Sequence, residues 1–149
     1  KVLERLGGAW NSEAVSRQAE WTPKEERTTS RITRSWILDG WFLLDSSLDS
    51  SGAESLSLTT YDATQGKFRS WWFSSAGLQN KSLGDWDEAA ETLAFRADLG
   101  NGLTSRSSVR FVDDDSHVWT VQVFLFCLAP WTPKHHFLSR HLLTLPREL

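Results

Sequence analysis

Residues 54–74 read ESLSLTTYDATQGKFRSWWFS, and this stretch decides the fold. Leu56 and Leu58 alternate with serine and threonine, and a second alternating segment, residues 67–74, follows the Gln65-Gly66 pair. Apolar residues at every second position are typical of a strand with one face in a core. A glycine turn between two such segments indicates an antiparallel hairpin. The stretch therefore predicts two paired strands.

The same rhythm continues on both sides of this hairpin. Turn signals such as Asp39-Gly40 and Asn101-Gly102 separate short segments rich in Thr, Val, Ile, Trp and Phe. We expect further strands at about 8–18, 27–38, 40–48, 78–86, 92–98, 103–112 and 117–126. A long meander exposes two edges unless it closes on itself. The sequence therefore predicts an all-β fold, an antiparallel up-and-down β-barrel of about nine to ten strands.

Both ends of the chain carry a helical pattern. Residues 2–6 are expected to form one short helical turn. Residues 135–145 have apolar side chains at helical spacing between Pro133 and Pro146, which predicts an amphipathic helix. We accordingly divide the chain into a barrel, residues 1–127, and an atypical C-terminal tail, residues 128–149. The tail either replaces the closing strand or is foreign to the domain, and an open edge would favour a homodimer through the edge or the tail.

Composition narrows the classes of function. The net charge is -3, and residues 1–127 hold 13 basic against 18 acidic residues, so the main body has no electrostatic footprint for nucleic acid. The longest apolar stretch, residues 123–130, is too short to span a bilayer. Cys127 is the single cysteine and can form no internal disulfide. No signal sequence is visible, which favours the cytoplasm. The chain starts at Lys1 without Met, so a trimmed N-terminus is expected and a removed leader stays open.

Several short motifs occur in an order that resembles bacterial lipocalin-like domains of unknown function in the calycin superfamily. They are Leu3-x-x-Leu6-x-Gly8-x-Trp10, Trp36-Ile37-Leu38-Asp39-Gly40-Trp41-Phe42-Leu43, Tyr61-Asp62, Gly84-x-Trp86-Asp87 and Asp113-Asp114-Asp115-Ser116-His117-Val118-Trp119. The resemblance covers residues 3–123 and extends distantly to fatty-acid-binding proteins and nitrobindins. It implies a lipocalin-like barrel in which a short helical turn leads into a strand whose tryptophan plugs the base.

A barrel of this size encloses more volume than its own side chains fill. We therefore expect a cavity that binds a small apolar or amphipathic molecule, without assuming catalysis, a cofactor or a metal. An inward arginine would select a carboxylate or phosphate head group, because guanidinium binds both in a bidentate manner. The predicted ligand-binding residues are Arg34, Trp36, Tyr61, Trp71, Phe73, Arg96 and Trp119.

Two other classes of function stay open at the level of sequence. A small ester or phosphoester hydrolase would use His117 with Asp113 or Asp115, the only visible pairing of a histidine with carboxylates. A structural or interaction domain would have its barrel filled by its own tryptophans. The tail histidines lack the i, i+4 spacing of a helical zinc pair, so no metal site is predicted.

Overall fold

A computed structural model describes residues 1–17, 24–125 and 140–141 of the chain. It begins with a 3-10 turn, Leu3–Leu6. The strands that follow are β1 (Gly8–Ser16), β2 (Glu26–Ile37), β3 (Phe42–Asp49), β4 (Glu54–Asp62), β5 (Lys67–Ser74), β6 (Gln79–Asp87), β7 (Thr92–Gly100), β8 (Leu103–Phe111), β9 (His117–Leu125) and β10 (Arg140–His141).

The strands pair in chain order, and every pair is antiparallel. The nine long strands curl into a half-barrel, and the two-residue β10 bridges its edge strands. In β10, Arg140 lies opposite both Val15 of β1 and Thr120 of β9, which completes the ring. The predicted all-β, up-and-down architecture with a helical turn at its N-terminus is therefore confirmed.

The predicted C-terminal helix is wrong at the two positions where it can be compared. Residues 135–145 lie outside the described residues except for Arg140 and His141, and these two form β10. The helical spacing of apolar residues is a local signal. At Val15 of β1 and at Trp119 and Thr120 of β9, pairing with β10 satisfies backbone hydrogen bonds that a helical tail would leave open. Tertiary pairing overrides the local pattern here.

One end of the barrel is closed by a packed apolar layer, which we call the floor. Leu3 and Leu6 of the 3-10 turn enter this layer from outside the strands. Trp10 is buried, and its indole N–H donates a hydrogen bond to the carbonyl oxygen of Leu6 at 2.9 Å. The turn and the first strand thus plug the barrel as the resemblance implies. The floor comprises Leu3, Leu6, Trp10, Leu43, Phe68, Leu93, Phe95, Val109 and Phe111.

Gly84 of β6 leaves room for the ring of Phe95, a floor residue on β7. A Cβ atom at this position would lie 2.6 Å from the ring of Phe95, the residue directly opposite on β7. That distance is far below van der Waals contact. A glycine is therefore needed for Phe95 to fill the floor, and its role here is steric because its backbone φ is not in the left-handed region.

Candidate functional site

The interior of the barrel above the floor is lined mainly by hydroxyl groups. Residues opposite one another on antiparallel strands share a face, so register with the buried Leu43 places Thr59, and then Ser70, on the inner face. These side chains are half-buried, between a closed floor and the opposite rim. We call this set the hydroxyl wall, and it consists of Ser47, Ser55, Ser57, Thr59, Ser70, Ser82, Ser105 and Ser107.

Half of the hydroxyl wall is paired internally. The hydroxyls of Ser47 and Ser55 are 2.8 Å apart, and Thr59 donates to Ser70 at 3.0 Å. The other four make no side-chain hydrogen bond within the described part of the chain. Ser74 lies next to the wall at the end of β5, and its buried hydroxyl oxygen also has no partner among the described residues. The wall therefore keeps free capacity to donate and accept hydrogen bonds.

A polar cluster is buried where the wall meets the floor. The Nε of Arg34 donates to Asp45 at 2.5 Å, and its Nη1 lies 3.2 Å from Nε2 of His117. The Arg34 side chain is 8 % exposed and its guanidinium carbon is 5.9 Å from the ring of Trp10. His117 packs edge-on against Trp10, with ring centroids 4.5 Å apart. The consecutive strands β2 and β3 and the distant strand β9 supply the charged and titratable groups of this cluster.

His117 is neutral in this setting. Its side chain is completely buried, and burial together with the adjacent Arg34 guanidinium lowers its pKa from 6.5 to about 3. Because arginine has only donors, the Nε2 of His117 accepts the hydrogen bond and the ring proton lies on Nδ1. That Nδ1 has no hydrogen-bond partner among the described residues. The ring supports Arg34 and leaves its other nitrogen unsatisfied.

Comparison with protein families assigns this chain to a family. A family model described as "Protein of unknown function (DUF1579)" matches residues 1–125. The chain belongs to this family. The match ends at the last residue of β9, so the floor, the hydroxyl wall and the Arg34 cluster all lie within the DUF1579 domain. A comparison with curated proteins gave no match.

Four of the seven predicted ligand-binding residues of the DUF1579 domain face inward by register, at two different levels. Arg34 belongs to the buried cluster, and Trp119 packs against the floor from β9. Trp36 and Tyr61 lie opposite the floor residues Leu43 and Phe68, but at the closed end, where they are 41 % and 50 % exposed. Both side chains are therefore exposed at the closed end, and Tyr61 lies two residues from Thr59 of the hydroxyl wall on β4.

The other three lie on the outer face of the DUF1579 domain. Trp71 contacts Phe42, with ring centroids 6.3 Å apart, and Phe73 follows it on the same side of β5. Arg96 is exposed and lies opposite another exposed arginine on β8. Trp72 was missed as an interior residue. The sequence showed that adjacent tryptophans face opposite ways and that Trp72 shares a face with Phe68, but only the barrel identifies that face as the inner one.

The residues of the hydrolase alternative do not form a catalytic set in the described structure. Asp113 and Asp115 lie in the exposed turn between β8 and β9, and Asp113 accepts a hydrogen bond from the backbone N–H of Asp115 at 2.9 Å. Hydrogen bonds from Ser116 and from this N–H lower the pKa of Asp113. His117 follows directly in β9 but points into the barrel, where Arg34 occupies its Nε2. The ring is completely buried, so none of its surface is open to a substrate in this structure.

Two further observations concern metal binding and membrane spanning. Within residues 1–17, 24–125 and 140–141, no three His, Cys, Asp or Glu side chains converge as metal ligands would. In the same ranges, no helix is long and apolar enough to cross a bilayer.

Proposed function

We propose that this DUF1579 domain is a non-enzymatic binding module that holds a small amphipathic molecule inside its barrel. One observation carries the proposal: the floor is packed shut, whereas the inner side chains above it stay half-exposed. A concave site closed at one end and open at the other is the usual form of a small-molecule site. We also propose that the domain is related to lipocalin-like barrels. The plugged base and the antiparallel meander of strands support this relationship.

The chemistry of the interior supports an amphipathic ligand over a purely apolar one. Trp72 and Val121 provide apolar surface at the level of the wall, and hydroxyls lie on the strands between them. Burying a wholly apolar ligand against free hydroxyls would leave those groups without water or a partner, at a cost of about 1–3 kcal/mol each. A ligand with both polar and apolar parts avoids that cost.

The test uses a pair of adjacent serines as a matched control. Ser107 faces the interior opposite Phe95, and Ser108 faces outward, opposite Ala94. We expect the uncharged fluorescent dye Nile red, which brightens in apolar sites, to bind wild-type protein. Ser107→Leu, which fills the interior, should weaken dye binding, and Ser108→Leu should not. Native mass spectrometry of the purified protein should also show a co-purifying small molecule. If neither the dye nor a fluorescent fatty acid binds and no molecule co-purifies, the proposal is refuted.

We also propose that the domain forms a homodimer through its seam. β1 and β9 each have nine residues, but β10 pairs with one residue of β1 and two of β9. A ring closed by so short a segment can open, and its two edges can then pair with a second copy of the chain. Size-exclusion chromatography with light scattering tests this, and a monomer at micromolar concentration would refute it.

A further inference from the structure

We propose that the ligand of this barrel is uncharged and polyhydroxylated, as a saccharide or the sugar of a glycoside is; this inference rests on the binding function proposed above. Trp72 lies on the inner face beside the hydroxyl wall, between Ser57 of β4 and Asn80 of β6. The nature of the wall, its charge and this tryptophan each point to the same class of ligand.

The wall offers only neutral groups that both donate and accept hydrogen bonds. Serine and threonine hydroxyls match the hydroxyls of a ligand in either direction. Ser57 and Ser82 lie on opposite sides of β5 and make no side-chain hydrogen bond within the described chain, while Ser74 keeps its buried oxygen unpartnered. A ligand with several hydroxyl groups would satisfy these sites together. A ligand with one polar head and an alkyl chain would satisfy few of them.

The charge of the interior disfavours an anionic ligand. Among the described positions that face the interior, Arg34 carries the only permanent positive charge. Its guanidinium is already paired with Asp45 and hydrogen-bonded to the neutral His117. An incoming carboxylate would lie close to Asp45, and like charges in a partly buried site repel. An inward arginine was expected to bind the carboxylate of a ligand. In this barrel Asp45 already binds that guanidinium.

Trp72 provides the apolar surface that a sugar ring requires. Its side chain is half-buried on the inner face, and no aromatic ring contacts it among the described residues. The face of an indole can cover the C–H face of a sugar while the wall binds the hydroxyls at the ring edge. Its neighbour Trp71 is of the same type but contacts Phe42 and Lys81 on the outer face. The two tryptophans therefore form a matched pair for a test.

Saturation-transfer difference NMR with paired probes tests the proposal on the full chain. The pairs are glucose with glucuronate, galactose with galacturonate, and octyl β-glucoside with octanoate. We expect transfer to at least one neutral member, with about ten-fold weaker binding, or none, for its acidic counterpart. If octyl β-glucoside binds and neither glucose nor galactose does, the ligand is a glycoside and not a free sugar. Equal or stronger binding of the acidic members would overturn the inference.

Variants then place the binding in the barrel. Trp72→Ala should weaken the neutral probe by about ten-fold, whereas Trp71→Ala should change it by less than about two-fold. Trp72→Phe, which keeps an aromatic face, should retain most of the affinity and covers the case in which the alanine variant does not fold. Equal effects of the two alanine variants would overturn the inference.

The failure of this inference can be distinguished from failure of the binding function. If Nile red or octanoate binds, and Ser107→Leu abolishes that binding while no neutral sugar or glycoside shows transfer, the barrel binds ligands but not of this class. If no probe of any kind binds, both proposals fail.

Discussion

Lowering the pH toward 5 should destabilise this domain through one residue, His117. The ring is fully buried against Trp10 and Phe111, and Arg34 faces its Nε2. In the folded chain its pKa is lowered to about 3, against 6.5 for the exposed side chain. As the pH falls below 6.5, the unfolded chain takes up a proton on this ring and the folded chain does not. Acid therefore favours the unfolded state.

The magnitude follows from linkage between protonation and folding. Between about pH 7.5 and pH 5, the free energy of unfolding should fall by about 2 kcal/mol from His117 alone. The loss begins near pH 6.5 and continues until the folded ring itself titrates near 3. The lowered pKa values of Asp49, Asp62 and Asp113 add stability above their ordinary value of 3.8, and this stability is lost below it. Measurements at pH 5 and above therefore isolate the histidine.

Urea denaturation of wild type and His117→Gln, at a series of pH values from about 7.5 to 5, measures this effect. Glutamine keeps an acceptor for Arg34 but does not titrate. The stability of the His117→Gln protein should therefore depend less on pH. Wild type should lose about 2 kcal/mol of unfolding free energy relative to His117→Gln as the pH falls from about 7.5 to 5. The other histidines are present in both proteins and cancel. Parallel pH curves for the two proteins would refute the assignment of a buried, neutral His117.

Three further substitutions test the floor and the buried cluster. Asp45→Asn should cost about 3–5 kcal/mol in urea denaturation, because it leaves the Arg34 charge buried without a counter-ion; an unchanged midpoint would contradict a buried pair. Gly84→Ala should cost about 1–3 kcal/mol, seen as a lower melting temperature, because the new methyl group would overlap the ring of Phe95. Trp10→Phe should cost about 1 kcal/mol, since it removes the N–H that donates to the 3-10 turn; equal stability would show that this bond is dispensable.

The strands were predictable because alternation is a local property. The segment Lys67–Ser74 was predicted with the bounds that the structure shows, since turns flank it and its apolar residues alternate. The bounds of β1 and β7 differed from the prediction by two residues at one end. The tail differed more from the prediction. Arg140 and His141 pair with strands that are distant in sequence, and a local helical pattern carries no information about such pairing.

The site was predictable only in part, since its members meet through long-range contacts. Arg34 was predicted as a ligand-binding residue and does face inward, but its partner Asp45 is 11 residues away and His117 is 83. The hydrolase alternative pairs His117 with Asp113 or Asp115 of the preceding acidic turn. The structure directs it inward instead, because the inner register of β9 begins at this residue, opposite the buried Phe111.

By itself, the sequence determined an antiparallel meander whose residues divide into two faces, because a strand directs successive side chains to opposite sides. It also placed Trp71 and Trp72 on opposite faces. Only the tertiary structure decided which face became the interior, because that depends on the direction in which the sheet curls and on the floor residues that it encloses. Closure converted one set of alternating serines and threonines into a hydroxyl wall, and it paired Arg34, the one inward arginine among the described side chains, with an acid.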